Sequence, residues 1–141
     1  AIARATDAGL ALGSPSVAVI VGEGGSGGAL AIAASSKVLM LEHSIYTVAS
    51  PEAAASILWR DSSRAQDAAT SMKITAADLL KFGIIDGIVP EPLGGAHRDP
   101  AGAVESAGKS IAEALESLAG LSRDGLREAR AAKFLAIGRK L

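Results

Sequence analysis

Glycines concentrated in one short stretch are the residues of this sequence best suited to chemistry. Five glycines stand within residues 22–28, in the order Gly-Glu-Gly-Gly-Ser-Gly-Gly, between an apolar segment and an alanine-rich one. Because glycine has no Cβ, such a run permits positive φ and lets the backbone approach a ligand closely. A helix start directly after the run adds unpaired N–H groups and the positive end of a helix dipole. We therefore expect an anion or a developing oxyanion to bind here.

The glycine run fits two kinds of ligand site. Gly22, Gly24 and Gly27 match the dinucleotide-binding pattern G-x-G-x-x-G, and Glu42 stands at the end of the next apolar segment, where a ribose-binding acid belongs. Alternatively, the N–H groups of Gly27 and Gly28 form an oxyanion hole, which needs no ionisable side chain. A structural turn, in which the glycines serve packing alone, is the third interpretation.

A serine hydrolase is a further alternative, because residues 24–28 also satisfy the pattern G-x-S-x-G around Ser26. That chemistry requires a downstream histidine, which His97 could supply. For His97 and the neighbouring Arg98 the simpler interpretation is a solvated loop. A P-loop is excluded, since no Gly-Lys-Ser or Gly-Lys-Thr ends the run.

Composition excludes several functions. Fourteen basic and fifteen acidic residues leave a net charge of −1, too little to attract nucleic acid or an anionic membrane. The chain has no cysteine, so disulfides, thiolate nucleophiles and zinc–thiolate sites are impossible, and we expect no metal. No apolar stretch is long enough to span a bilayer, and we expect a soluble, intracellular protein. Because it starts without methionine, inside an apparent helix, we expect a fragment or a processed product.

Alternating apolar strands and short helices predict an α/β fold. Short apolar runs bounded by turn residues predict strands covered on both faces. Ser50-Pro51-Glu52 and Thr75 have the character of helix starts, and Gly83 that of a helix end. The predicted helices cover residues 2–12, 29–34, 51–60, 65–72 and 76–82, and the predicted strands cover 16–21, 37–41, 45–48 and 84–89.

The residues beyond the long Pro- and Gly-rich connection at 90–100 predict a helical extension. We therefore divide the chain into residues 1–100, the main α/β part, and residues 101–141, the extension. The expected buried stripes are Val104, Ile111, Leu115 and Leu118, and then Leu126, Ala129, Phe134 and Ile137. The charged residues of the last helix, Arg123, Asp124, Arg127, Glu128 and Arg130, are expected on a solvated face.

Three segments together resemble one family, the α subunits of acetyl-CoA carboxylase carboxyltransferase from bacteria and plastids. These segments are the glycine run with its flanks at 21–32, the Ser-Pro-Glu helix start with Ser-Ile-Leu-Trp at 50–59, and residues 84–100. The third is the most specific, since it contains Pro-Glu-Pro-Leu-Gly-Gly-Ala-His-Arg-Asp-Pro. The resemblance runs from Ala1 to the C-terminus.

This resemblance implies a fold and an activity. The fold is a ClpP/crotonase-like superhelix of βαβ units, present here in part, with a helical C-terminal extension. The activity is transfer of a carboxyl group from biotin, attached to a biotin carboxyl carrier protein, to acetyl-CoA, which gives malonyl-CoA for fatty acid biosynthesis. It also implies a carboxyltransferase β subunit without which the enzyme is inactive, an α2β2 heterotetramer, and a bacterial cytoplasm or plastid stroma as the location.

The resemblance also assigns roles to residues. Gly27 and Gly28 match the glycine N–H pair that stabilises the ureido oxygen of biotin, whereas acetyl-CoA is held mainly by the β subunit. Gly24, Gly25 and Ser26 are assigned to the surrounding substrate-binding loop.

Two short segments depart from the family pattern. Many members have Ser-Pro-Glu-Gly-Cys where this chain has Ser-Pro-Glu-Ala-Ala at 50–54, and a Gly-Asp turn where it has Ser35-Ser36. The family's subunit is also much longer, and its N-terminal half contributes to the same superhelix.

Overall fold

The computed structural model describes residues 1–139, and their elements alternate between helix and strand. The helices are α1 Ile2–Ala11, α2 Ser26–Ala33, α3 Pro51–Trp59, α4 Ala65–Met72, α5 Ala76–Lys81, α6 Pro100–Glu116 and α7 Arg123–Ala136, with a 3₁₀ turn at Ser62–Arg64. The strands are β1 Val17–Ile20, β2 Glu23–Gly25, β3 Lys37–Leu41, β4 Ile45–Thr47 and β5 Gly87–Val89. This order confirms the α/β class.

All strand pairs between these named elements are parallel, and they form two separate sheets. The larger sheet has the order β1-β3-β5, and the smaller one pairs β2 with β4. Val17 lies beside Lys37 at the start of the first pair, and Gly24 lies beside Tyr46 in the second. The carboxyl ends of the three strands of the larger sheet therefore meet at one edge, which is where parallel α/β sheets place their ligands.

The central strand β3 supplies both sides of the core. Val38 and Met40 point to one face, where they pack with Ala33, Leu79 and other small apolar residues. Leu39 and Leu41 point to the opposite face, towards Val89 and helix α6. Since successive side chains of a strand alternate in direction, a continuous apolar run such as this one requires cover on both faces.

Helix α6 covers that second face with alanines instead of the predicted larger residues. Ala107, Ile111 and Ala114 pack on the sheet, while Val104, part of the expected buried stripe, is 72% exposed. The physical reason is that small side chains let a helix axis approach the sheet closely. The predicted stripe was therefore wrong at Val104 and at Leu115, which is 40% exposed, and correct at Ile111 and Leu118. In the predicted stripe of the last helix, Leu126 is buried, whereas Ala129 and Ile137 are exposed.

Local helix signals were read correctly in most places. The Ser50 hydroxyl accepts a hydrogen bond from the N–H of Ala53 at 3.2 Å, and Thr75 caps α5 in the same way through Asp78 N–H. Gly83 follows α5 with φ at +69°. The last strand is shorter than predicted, because residues 84–86 turn before it and Asp86 uses its carboxylate to accept the Val38 N–H at 2.7 Å.

Helix α7 packs on α1, and its residue Arg130 contradicts the expectation of a solvated charged face. Arg130 is only 2% exposed, whereas Arg127 on the same helix is exposed. The Arg130 guanidinium lies against the carboxyl end of α1, whose final carbonyl groups lack partners within that helix. The last two residues of the predicted extension lie outside the described residues. Among residues 1–139, no helix combines the length and apolar character needed to cross a membrane.

Candidate functional site

The glycine segment is a strand followed at once by a helix, instead of the loop that the sequence predicted. Glu23–Gly25 pairs with Ile45–Thr47 in parallel, and α2 begins at Ser26, three residues before the predicted start at Ala29. The prediction missed the strand because glycine is disfavoured in strands, and only the distant β4 partner makes it one. Gly27 and Gly28 therefore lie in the first turn of a helix.

Positive φ is confined to two positions in this segment. Gly22 has φ +86° and Ser26 has φ +61°, so only one glycine of the run uses the positive φ that the sequence permits. A non-glycine residue in this conformation is strained, and such strain concentrates at functional sites. Here Ser26 reverses the backbone direction between β2 and α2 within one residue.

The amino end of α2 has free backbone donors. Gly25 occupies the cap position with extended φ and ψ of −141° and 154°, and no side chain caps the helix. No acidic residue stands in the first turn either. The N–H groups at Ser26, Gly27 and Gly28 thus remain available to an acceptor outside the protein, with the helix dipole adding positive potential.

The glycines differ in the space around them. A Cβ at Gly24 would lie 3.1 Å from Ile20 and 3.3 Å from Tyr46, so Gly24 allows the two layers to pack. A Cβ at Gly27 would lie 3.3 Å from Ile2 of α1, whereas a Cβ at Gly28 would meet nothing within 4 Å. Packing explains Gly24 but offers no reason for Gly28.

A cavity of about 400 Å³ adjoins the segment on the side of strand β1. It is lined by Ile20, Glu23, Gly25 and Ala29, together with other residues of β1 and α2. Its walls are mostly aliphatic, and the backbone of β2 forms one rim. The cavity lies beside Gly24 and Gly25, whereas Ser26, Gly27 and Gly28 are not among the residues that line it.

The serine hydrolase alternative requires a histidine beside Ser26, and the described residues do not provide one. His97 lines a different cavity of about 540 Å³, together with Gly22, His43, Glu91 and Gly95. Ser26 does not belong to that cavity. The strained strand-to-helix turn is the geometry of a nucleophile elbow, but no base accompanies it.

The dinucleotide alternative also lacks its second anchor. The Glu42 carboxylate accepts the N–H of Glu91 at 3.3 Å and so serves the 90–100 connection. The segment after Gly22 also enters a separate small sheet, whereas the dinucleotide fingerprint leads from its strand straight into a helix.

Within residues 1–139, no group of three His, Asp or Glu side chains is placed to hold a metal ion.

His43 and Glu91, which are far apart in sequence, form an ion pair at the carboxyl edge of the larger sheet. The Nδ1 of His43 lies 2.6 Å from Oε2 of Glu91, whose side chain is 7% exposed. This hydrogen bond raises the pKa of His43 above its ordinary value of 6.5, against the opposing effect of desolvation and with smaller contributions from the charges of Glu91 and Glu42. Sequence analysis did not predict the pair, because no local pattern connects a strand end to a distant loop.

We expect the His43 imidazole to titrate above 6.5 in ¹H–¹⁵N spectra, and Glu91→Gln to return its midpoint towards the ordinary value. Because the folded pKa is raised, the pair stabilises the fold fully below the unfolded pKa and loses this contribution as pH rises through the folded pKa. A His43 midpoint unaffected by Glu91→Gln would contradict the pairing.

The described residues thus combine parallel sheets with a glycine-rich helix whose amino end has no side-chain cap. The chain belongs to the acetyl co-enzyme A carboxylase carboxyltransferase-like family, whose model matches residues 1–138. It is 72% identical over 141 residues to the acetyl-coenzyme A carboxylase carboxyl transferase subunit alpha of Azorhizobium caulinodans. It is 68% identical over the same length to the protein of that name from Methylobacterium nodulans. The matches cover 100% of this chain and 44% of each relative, so the chain spans less than half of their length.

Solved structures with a similar fold come from a Pseudomonas malonate decarboxylase hetero-tetramer. The structure in complex with coenzyme A matches with a TM-score of 0.65 and 23% identity, over 96% of this chain and 56% of that one. The structure in complex with malonate matches with a TM-score of 0.66 and 22% identity, over 96% and 55%. At this identity the likeness shows a common fold.

Proposed function

We propose that this chain is part of the α subunit of acetyl-CoA carboxylase carboxyltransferase. The protein would transfer a carboxyl group from biotin on a carrier protein to acetyl-CoA and so produce malonyl-CoA. The observation that carries the proposal is the uncapped amino end of α2 at Gly27 and Gly28, on a chain of this family. Similarity to two subunits named for this activity supports it.

The residues at this helix end fit the ureido group of biotin. A ureido oxygen is a planar acceptor, and the first turn of α2 presents N–H donors without a competing side chain or carboxylate. Bound here, carboxylated biotin supplies the carboxyl group of the reaction. The part played by the chain is to hold that oxygen through Gly27 and Gly28 and to stabilise negative charge developing on it.

The neighbouring residues shape this donor pair. The absence of a side chain at Gly24 lets β2 pack against Ile20 and Tyr46. Gly25 ends the strand in more open surroundings, since a Cβ placed there would have Thr47 O as its nearest neighbour, at 3.9 Å. Ser26 turns the chain at φ +61°, and its side chain is exposed directly before Gly27 in the sequence. Ser26 is therefore a substrate-contact residue in this proposal.

The proposal extends to partners and assembly. A β subunit would hold acetyl-CoA and complete the active site, a biotin carboxyl carrier protein would deliver the cofactor, and the assembly would be an α2β2 heterotetramer. The parallel sheets and the fold likeness to malonate decarboxylase support a partial crotonase-like superhelix. The location would be a bacterial cytoplasm or a plastid stroma.

The proposal is tested by carboxyl transfer in the assembled complex. The full-length protein, combined with its β subunit, is expected to form malonyl-CoA from acetyl-CoA and carboxylated biotin carrier protein, and to run the reverse reaction from malonyl-CoA to free biotin. Neither subunit alone is expected to do so. A folded complex without transfer in either direction would contradict the proposal, and saturable NADH binding abolished by Glu42→Ala would favour the dinucleotide alternative.

A further inference from the structure

Ser44, in the turn between β3 and β4, has a buried hydroxyl that contacts the chain just before the glycine helix. Ser44 is 2% exposed. Its Oγ accepts the N–H of Gly22 at 2.7 Å and donates to the carbonyl oxygen of Ile20 at 3.1 Å. One side chain therefore joins the end of β1 to the first residue of the glycine segment.

The turn at Ser44 and Ile45 forms hydrogen bonds with both the N–H and the carbonyl oxygen of Gly22. Its carbonyl oxygen accepts the N–H of Ile45 at 2.8 Å, next to Ser44 in sequence. The residue itself is exposed, with φ at +86°, and a Cβ placed there would have no neighbour within 4 Å. Because side-chain packing does not restrain Gly22, its orientation depends on these hydrogen bonds.

The direction of Gly22 contributes to where the donor pair lies. Directly after it come β2, which also pairs with β4, and then α2, so a rotation at Gly22 shifts the start of the helix relative to the larger sheet. We propose that Ser44 is a positioning residue, which fixes Gly22 and thereby the N–H groups of Gly27 and Gly28. This inference rests on the proposed function for its catalytic consequence.

Loss of the hydroxyl should affect both stability and catalysis. Because Ser44 is 2% exposed, Ser44→Ala leaves the Gly22 N–H and the Ile20 carbonyl oxygen without this partner, and some stability is lost. The orientation of the Gly22 peptide is then no longer fixed, and displacement of a reacting group by about 1 Å can cost about 100-fold in rate. The activity is therefore compared at a temperature at which the variant is fully folded.

The test is Ser44→Ala in the full-length protein assembled with its β subunit, assayed with malonyl-CoA and free biotin. We expect kcat to fall about 10- to 100-fold, with the KM for malonyl-CoA changed less than about twofold. Ser16→Ala is the matched control, because its hydroxyl accepts the N–H of Ser36 at 3.0 Å near the other end of β1. The control is expected to keep the wild-type kcat.

A structural measurement keeps the inference independent of the assay. Hydrogen exchange of the amides at 22–28 is expected to accelerate in Ser44→Ala and to stay unchanged in Ser16→Ala. Wild-type kcat in Ser44→Ala, an equal loss in the control, or unchanged exchange at 22–28 would each overturn the role of Ser44. If the wild-type complex transfers no carboxyl group, the proposed function fails, and the exchange comparison still decides whether Ser44 positions the segment.

Discussion

Replacing Gly28 with alanine is expected to lower carboxyl transfer about 100-fold while leaving the fold at least as stable. The Cα–Cβ bond of a helical residue tilts towards the helix amino end. A methyl group at Gly28 would therefore extend towards the amino end of the helix, and apart from the adjoining backbone of α2 its Cβ would have no neighbour within 4 Å. In the proposed complex, biotin occupies the space in front of the free N–H groups.

The stability part of this prediction has the opposite sign from that expected for a structural glycine. Gly28 lies in a helix, its φ is not left-handed, and the added methyl group meets no clash. Alanine in place of helical glycine reduces the backbone entropy lost on folding, worth about 0.5–1 kcal/mol. Gly27 is less suitable for this experiment, because a methyl group there presses on Ile2.

Gly108→Ala is the matched control for Gly28→Ala. Gly108 is an exposed glycine in α6, again with no atom within 4 Å of its Cβ position. It should gain comparable stability in thermal denaturation and retain full activity. Full activity in Gly28→Ala would mean that Gly28 does not face the ligand, and a loss of stability there would mean that the space is not open.

Much of the fold was predictable, because its signals are local. The capping serine at Ser50 and the apolar run that became β3 depend on a few neighbouring residues, and both lie where the sequence placed them. The resemblance to the family was confirmed over nearly the whole chain. Local hydrogen bonds and burial periodicity are properties of the segment itself, so they survive in the folded protein.

The features that were missed depend on residues far apart in sequence. Strand β2 exists only because β4 pairs with it, and the Gly22 turn depends on Ser44. The charged residue Arg130 is buried because the end of α1 supplies acceptors more than a hundred residues away. Single-sequence patterns do not contain these partners, and in the glycine segment these partners decide the backbone geometry.

Replacing Arg130 with alanine is expected to destabilise the protein by about 3 kcal/mol or more, a fall of about 10 °C in Tm. Its Nη1 donates to the carbonyl oxygens of Gly9, Leu10 and Leu12 at 3.2, 3.0 and 2.7 Å. Its Nη2 donates to Ser14 O at 3.2 Å and to Ser36 Oγ at 2.7 Å. One guanidinium thus joins α7 to the end of α1 and to the turn before β3.

The expected loss is large because one buried side chain supplies all of these hydrogen bonds. Removing the guanidinium leaves the carbonyl oxygens of Leu10, Leu12 and Ser14 without this donor, and because the Arg130 side chain is 2% exposed, its loss also opens a cavity. Arg130→Lys should recover little, since a single ammonium group cannot reproduce the planar fork that reaches both α1 and Ser36. The Nε–H of Arg130 is buried and has no hydrogen-bond partner among the described residues. The wild-type protein therefore already contains one unsatisfied buried donor at this site.

Arg127→Ala distinguishes burial from charge, because Arg127 stands on the same helix and also donates to α1, through Nε to Ala11 O at 2.8 Å. Its side chain is 44% exposed, so water replaces the lost contacts and only a small part of the Arg130 effect is expected. Thermal and urea denaturation of both variants measures the difference. Equal losses of stability in the two variants would show that the charge on α7 matters and that the burial of Arg130 does not. A loss of stability in Arg130→Ala alone would show that the Arg130 guanidinium holds α1 against the rest of the fold. Helix α1 includes Ile2, which lies beside Gly27.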